Sequence, residues 1–113
     1  MPVQQELFVN AVIASGATIY SQPVDIGGNS NIFVGVTTVV GTAALDATTG
    51  LEGSSDLTNW GPLTASGTGF SFSAAPTFAS ATYNSVGARY VRLKVKAGTS
   101  ASCVNASLTA TAG

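Results

Sequence analysis

The sequence predicts an all-β fold: a single-domain β-sandwich, jelly-roll or Greek-key, of about eight antiparallel strands. Three observations predict it. Short runs of β-branched and aromatic residues recur between clusters of Gly, Asn, Pro and Ser. The segment from Arg89 to Lys96 alternates with a period of two, with Val91, Leu93 and Val95 on one side and Tyr90, Arg92, Lys94 and Lys96 on the other. No stretch sustains a helical period, and Ala43-Ala44-Leu45 is too short to count as one. At 113 residues the chain is long enough to bury a core without metals or disulfides, so residues 1–113 are expected to form one domain.

Taken in order, Leu7 to Ala14 reads as a first strand, ended by Ser15-Gly16, and residues 1–14 are expected to act as an arm or an edge strand. Thr18 to Ile26 reads as a second strand with Tyr20, Gln22, Val24 and Ile26 on one face. Pro23 cannot donate to a ladder, which makes this an edge strand or places a bulge there. The turn Gly27-Gly28-Asn29-Ser30-Asn31 leads into Ile32 to Val40, apolar on both faces and therefore expected to be central. Ala43 to Ser54 gives another strand, followed by the polar turn 55–59, Trp60 and the short run Pro62 to Ala65. Phe70 and Phe72 alternate with serines, and Thr77 to Tyr83 follows Pro76. The basic strand runs from about Arg89 to Ala97. Gly98-Thr99-Ser100 then turns the chain into Cys103 to Ala112, with Val104, Ala106, Leu108 and Ala110 on one face.

Charge is scarce and segregated. Charged residues make up 8% of the chain, against roughly 25% in ordinary soluble domains. The four basic residues, Arg89, Arg92, Lys94 and Lys96, share one strand, and the five acidic ones (Glu6, Asp25, Asp46, Glu52, Asp56) all precede it. Four cations without help elsewhere give a weak counterion-release term, so nucleic acid is not an expected partner. No apolar run approaches the roughly 20 residues that span a bilayer, so no membrane partner is expected. The opening residues lack a basic segment followed by an apolar one, which leads us to expect synthesis in a cytoplasm; a mature secreted chain with an added Met would look the same.

Catalysis has little to work with. There is no histidine, the commonest general base and imidazole ligand, and Cys103 is the sole cysteine. No Ser-x-x-Lys is present, and nothing beyond residue type makes a glycosidase pair of Asp46 and Glu52. We expect no enzyme, no cofactor and no metal. Asp56 with Asn59 has the donor types of a Ca²⁺ loop, but so few neighbouring carboxylates favour an Asx turn instead. Asn105-Ala-Ser107 matches a glycosylation acceptor but falls inside an expected strand.

The most specific pattern is Leu51-Glu-Gly-Ser-Ser-Asp-Leu-Thr-Asn-Trp60, followed by Gly87-Ala-Arg-Tyr-Val-Arg-Leu-Lys-Val95. It describes a strand, a tight polar turn, an anchoring Trp and a later strand able to pair with the first. The two segments resemble the S-x-D-x-x-x-W and A-R-Y-V-R-L signature of discoidin-type galactose-binding jelly rolls. They look still more like the small β-sandwich proteins of tailed-phage structural gene clusters, with their E-G-S-x-D-x-x-N-W and R-Y-V-R segments. The resemblance covers roughly residues 45–112. The chain departs from the discoidin pattern in being shorter and in lacking its early Asn/Asp-rich and Trp-bearing loops.

The phage resemblance implies a virion structural protein, made in the host cytoplasm, that decorates or cements the capsid. Its expected partners are copies of itself, as a homo-oligomer with a trimer first in line, and the major capsid protein lattice or another virion protein. The discoidin resemblance implies the alternative, a carbohydrate-binding module with Trp60, Tyr83 and Tyr90 at one end; a tail or fibre component shares the same fold. The candidate interface is Arg92, Lys94, Lys96 and Glu52. The basic stripe has three readings: a solvated face or lysine-blunted edge, a contact with Glu52 or Asp46 of another copy, or Glu52 facing Arg92 or Lys94 within one subunit. Trp60, Asp56 and Asn59 are the candidate hairpin anchor or ligand end. Trp60 reads either as a cap on the sandwich core or as a sugar platform.

Overall fold

Strict alternation in the sequence becomes two packed sheets. A computed structural model of the chain describes residues 3–40, 49–65, 77–84, 86–98 and 101–112. Among them lie β1 (Val3–Ile13), β2 (Thr18–Tyr20), β3 (Val24–Asp25), β4 (Asn31–Val40), β5 (Gly50–Ser54), β6 (Gly61–Pro62), β7 (Thr77–Tyr83), β8 (Tyr90–Lys96) and β9 (Ser102–Thr111). Sheet I has the order β1-β9-β4-β7; sheet II has the order β2-β8-β5-β6, with β3 also on β8. Every pairing is antiparallel.

The pairings nest. β1 with β9, β2 with β8, β4 with β7 and β5 with β6 form one long folded-back hairpin, which β9–β4 and β8–β5 roll closed. With β2 and β3 taken as two parts of one strand, this is an eight-strand jelly roll. The core sits between the sheets. Ile32, Val34 and Val36 of β4 and Val104, Leu108 and Ala110 of β9 meet Leu51, Val91, Leu93 and Val95 of sheet II, all buried. The period-two assignment of the basic strand and of β9 therefore holds.

The expected strand from Thr18 to Ile26 is interrupted, and Ser21 explains how. The ladder to β8 stops at Tyr20 and resumes at Val24, across Pro23. In the gap the Ser21 N–H donates to the Leu93 carbonyl at 2.9 Å, while the Leu93 N–H donates to Ser21 Oγ at 2.8 Å. A side chain thus replaces the backbone acceptor that the irregular segment withdraws. The break also changes the faces: Tyr20 is exposed while Val24 and Ile26 are buried, so they do not share a side as expected. At the next turn Gly27 and Gly28 take φ of 56° and 84°, which glycine adopts without a Cβ penalty. Asp25 Oδ1 accepts the Gly27 N–H and Asn29 Nδ2 donates to the Ile26 carbonyl, closing it.

Other bounds shift. β1 starts earlier than Leu7, pairs with β9 of its own chain and forms an edge of sheet I. Of the expected strand 43–54, residues 49–54 are described and Gly50–Ser54 form β5, and the run Pro62 to Ala65 gives way to the two-residue β6. Asp46, Phe70, Phe72, Pro76, Thr99 and Ser100 lie outside the described residues, as do the side chains of Val39 and Val40. β8 is flanked by β2 and β3 on one side and β5 on the other. Its lysines therefore do not blunt a sheet edge, which removes that reading of the basic stripe.

Candidate functional site

Inner residues fix outer ones in a strand, so each sheet presents the complementary row to its surroundings. On sheet II the outer row of β8 is Tyr90, Arg92, Lys94 and Lys96, half-buried throughout. Register places Glu52 opposite Arg92, Gly50 and Tyr20 on either side of Lys94, and Thr18 opposite Lys96.

Arg92 is the hub of this face. Its Nε donates to Glu52 Oε1 at 2.8 Å, with the two side chains 23% and 16% exposed. Its guanidinium lies 4.1 Å from the centroid of the Tyr20 ring and 4.4 Å from that of Trp60, so three strands or their flanks converge on one cation. A planar, weakly hydrated guanidinium stacks on aromatic faces in this way, whereas an ammonium is a compact point charge. The pairing of Glu52 with Arg92 within the subunit, one of the readings of the basic stripe, is formed. Lys94 and Lys96 continue the same row, and the Lys96 N–H donates to Thr49 Oγ1 at 3.1 Å. At the end of the row Arg89 pairs with Asp25 at 3.2 Å and lies 5.3 Å from the Tyr90 ring centroid. The Gly27 N–H and then Arg89 hold the Asp25 carboxyl below its ordinary pKa.

The β5–β6 hairpin explains the most specific sequence pattern. Asp56 Oδ1 accepts the N–H groups of Thr58 (2.9 Å) and Asn59 (2.8 Å), and Asp56 Oδ2 accepts from Asn59 Nδ2 (2.9 Å). Ser54 Oγ donates to Asp56 Oδ1 and accepts the N–H groups of Asp56 and Leu57. Leu57 takes a φ of 65°, a costly conformation for a leucine that this network holds in place. Those donors, the Asn59 and Thr58 N–H groups first, hold the Asp56 carboxyl well below the usual carboxylate range. Asp56 Oδ1 thus makes the bond to the N–H two residues on that defines an Asx turn, and Oδ2 serves the same turn through Asn59. Among the described residues no group of three or more His, Cys, Asp or Glu is placed to hold a metal.

The remaining nominees separate. Trp60 is half-buried against Arg92, at the outer surface of sheet II and not over the core. Tyr83 is buried between the sheets, where its hydroxyl accepts the Leu51 N–H at 3.2 Å; burial raises its pKa and that bond opposes the rise. Tyr83 is therefore a bridge between the sheets and does not join Trp60 and Tyr90 at a ligand end. Asn105, on β9, lies under a bulge of β1, where its Oδ1 accepts the Asn10 N–H at 2.7 Å.

Sheet I carries a face that the sequence reading missed. Its outer row combines Phe33, Gly35 and Thr37 of β4 with Phe78, Ser80 and Thr82 of β7, and with Cys103, Asn105, Ser107 and Thr109 of β9. Phe33 (47%), Phe78 (62%), Val9 (63%) and Val12 (76%) are exposed. The Phe78 ring lies over Gly35, with its Cε1 2.9 Å from where a Cβ would stand. The signal was present in the parity of Phe33 and Phe78, each opposite to buried neighbours, but apolar residues on both sides of β4 read as burial on both sides.

No known protein family and no curated protein sequence matches the chain. Its fold is similar to that of the SPBc2 prophage-derived protein YomS, whose crystal structure aligns over 96% of this chain and 95% of that chain, with a TM-score of 0.58 and 11% sequence identity. At that identity the likeness shows the fold.

Proposed function

We propose that this chain is a non-enzymatic structural protein of a tailed-phage virion, which decorates or cements the head as a homo-oligomer, a trimer in the first instance. The observation that carries the reading is the division of its two outer faces. All four cations lie on or beside sheet II, with Arg92 paired to Glu52 and Arg89 to Asp25, while sheet I offers a face of Phe, Val, Ser and Thr on which Glu6 is the one described charge. An apolar face set in hydroxyls suits broad contact with neighbours through packing and neutral hydrogen bonds. The prophage origin of the similar structure supports a phage setting. The carbohydrate reading is disfavoured because the Tyr20 and Trp60 rings are stacked on Arg92 and Tyr83 is buried.

Co-sedimentation with assembled heads and, separately, with tails tests this reading. Binding to heads is expected, and it should persist at 1 M salt, where the Debye length is about 3 Å, because few charge pairs contribute. Binding to tails alone would move the protein to the tail or fibre. A monomer that ignores both, yet gains several degrees of thermal stability with a sugar, would overturn the proposal in favour of a carbohydrate module.

A further inference from the structure

We propose that the outer face of sheet I is the surface on which a second copy of this chain docks, with Phe33 and Phe78 as its exposed aromatic residues. The inference deepens the virion reading and rests on it for the premise that the chain assembles.

Shape is the first support. The Phe33 and Phe78 rings lie close to Gly35, and beside them is a depression of about 330 Å³ whose lining includes Glu6, Val9, Thr37, Phe78, Asn105 and Ser107. Ridge and depression lie side by side on one face, as a surface that packs against its own copy needs. Exposed aromatic side chains beside small residues are also the composition of an interface centre.

Charge selects the occupant. Glu6 is the one charged residue among the described outer residues of sheet I, and it lines the β1 side of the depression, opposite Ser107. Two copies meeting through sheet I bring in one carboxylate each and no cation from the described residues. Two copies meeting through sheet II oppose two rows of Arg92, Lys94 and Lys96. A sheet I face set against a sheet II face covers that polar row with a surface whose one described charge is Glu6.

Extent approaches what a stable contact needs. Four strands about 4.8 Å apart, of 11, 10, 10 and 7 residues at about 3.3 Å per residue, give a flat footprint of roughly 600 Å² before the relief of the rings is added. A standard interface takes about 800 Å² from each partner. The molecule measures 38 × 26 × 22 Å, so no narrower side offers more. Lateral pairing through β1 is a poor alternative. Its ladder has two register shifts, and Asn10 at φ 48° breaks the extended backbone that an added strand would need. Like face on like face is a two-fold contact, whereas a trimer would set one part of the face of each copy against a different part of the next.

The test is solution mass of the full chain by sedimentation and light scattering, for wild type, Phe78→Asp, Ser107→Arg and Lys94→Glu, with circular dichroism melts to verify folding. Phe78 and Ser107 are exposed, so both variants should fold. Wild type and Lys94→Glu should share one oligomeric mass. Phe78→Asp and Ser107→Arg should weaken association about 30-fold or more, the scale of losing an aromatic anchor. A monomeric wild type, or folded Phe78→Asp and Ser107→Arg variants that keep the oligomer, would overturn the proposal. Head co-sedimentation run in parallel separates the two readings. An intact oligomer that ignores heads and tails sinks only the virion reading, and a monomer that still binds heads sinks only this one.

Discussion

The two outer faces of the sandwich are built on equally buried inner rows, and they end up chemically opposite. On sheet II the polar groups are spent on one another: Arg92 on Glu52, Tyr20 and Trp60, Arg89 on Asp25, and Asp56 on its own turn. On sheet I the described outer residues are uncharged apart from Glu6, and the side chains of Phe33 and Phe78 lie open. The comparison teaches that conspicuous charge and available surface are different things. A guanidinium flanked by two rings and a carboxylate is already largely committed, whereas an exposed ring beside serines and threonines still has area to lose from water.

The contrast between inner and outer rows of sheet II is the easiest to break and carries the largest effect. Leu93 is fully buried and Lys94, its neighbour, is half-exposed on the other side. Leu93→Ala should cost about 2–5 kcal/mol in urea unfolding, and Lys94→Ala should fall within about 0.5 kcal/mol. Comparable losses at both positions would mean that the alternation does not set the faces.

The sheets are joined by a bond whose loss should be the next largest. Tyr83→Phe keeps the ring but leaves the buried Leu51 N–H without its hydroxyl acceptor, which should cost about 1–3 kcal/mol. A neutral result in the same assay would show that Leu51 finds another partner.

A direct comparison of the two faces follows. In a dilute, dissociated sample, Arg92→Ala loses two ring contacts and a largely shielded ion pair, and should cost about 1–2 kcal/mol. Arg92→Lys should recover only part of this, because an ammonium neither stacks as a plane nor reaches Glu52 through the same N–H. Phe33→Ser, on the open face, should stay within about 0.5 kcal/mol under the same conditions. Urea melts that reverse this order would place the committed face on sheet I.

Much of this was legible in the sequence. Parity gave the inner rows of β8 and β9, and the E-G-S-S-D-L-T-N-W and R-Y-V-R segments pointed to the β5–β8 pairing that sets Glu52 against Arg92. What stayed hidden depends on partners far along the chain. Ser21 mends the ladder through Leu93, 72 positions away. The Tyr20 ring meets Arg92 only because the break after it leaves that ring on the outer side, while Val24 turns inward. The open side of β4 was hidden for another reason: hydrophobicity says what a residue prefers, not whether another layer arrives to cover it. Tyr83 was misplaced despite a usable signal, since it shares parity with the small, buried Ala79 and Ala81.

The smallest expected effect concerns the Asp56 turn, which sharpens the idea that sheet II's polar groups are internally committed. The Asp56 carboxyl is exposed, yet N–H donors from Asn59 and Thr58 and the side chains of Asn59 and Ser54 hold its pKa well below the ordinary value of 3.8. A depressed folded-state pKa means that the ionised turn is favoured fully above 3.8 and loses that contribution only as pH falls through the lower, folded value. The Thr58 and Asn59 amide resonances should therefore stay in place from pH 7 to about pH 4 and move only in stronger acid. Asp56→Asn keeps a carbonyl acceptor but no charge, and should shift both amides at every pH. An Asp56 titration midpoint close to 3.8 in a two-dimensional NMR series would show that the network leaves the carboxylate to solvent, and that the hairpin is held by Ser54 and the backbone alone.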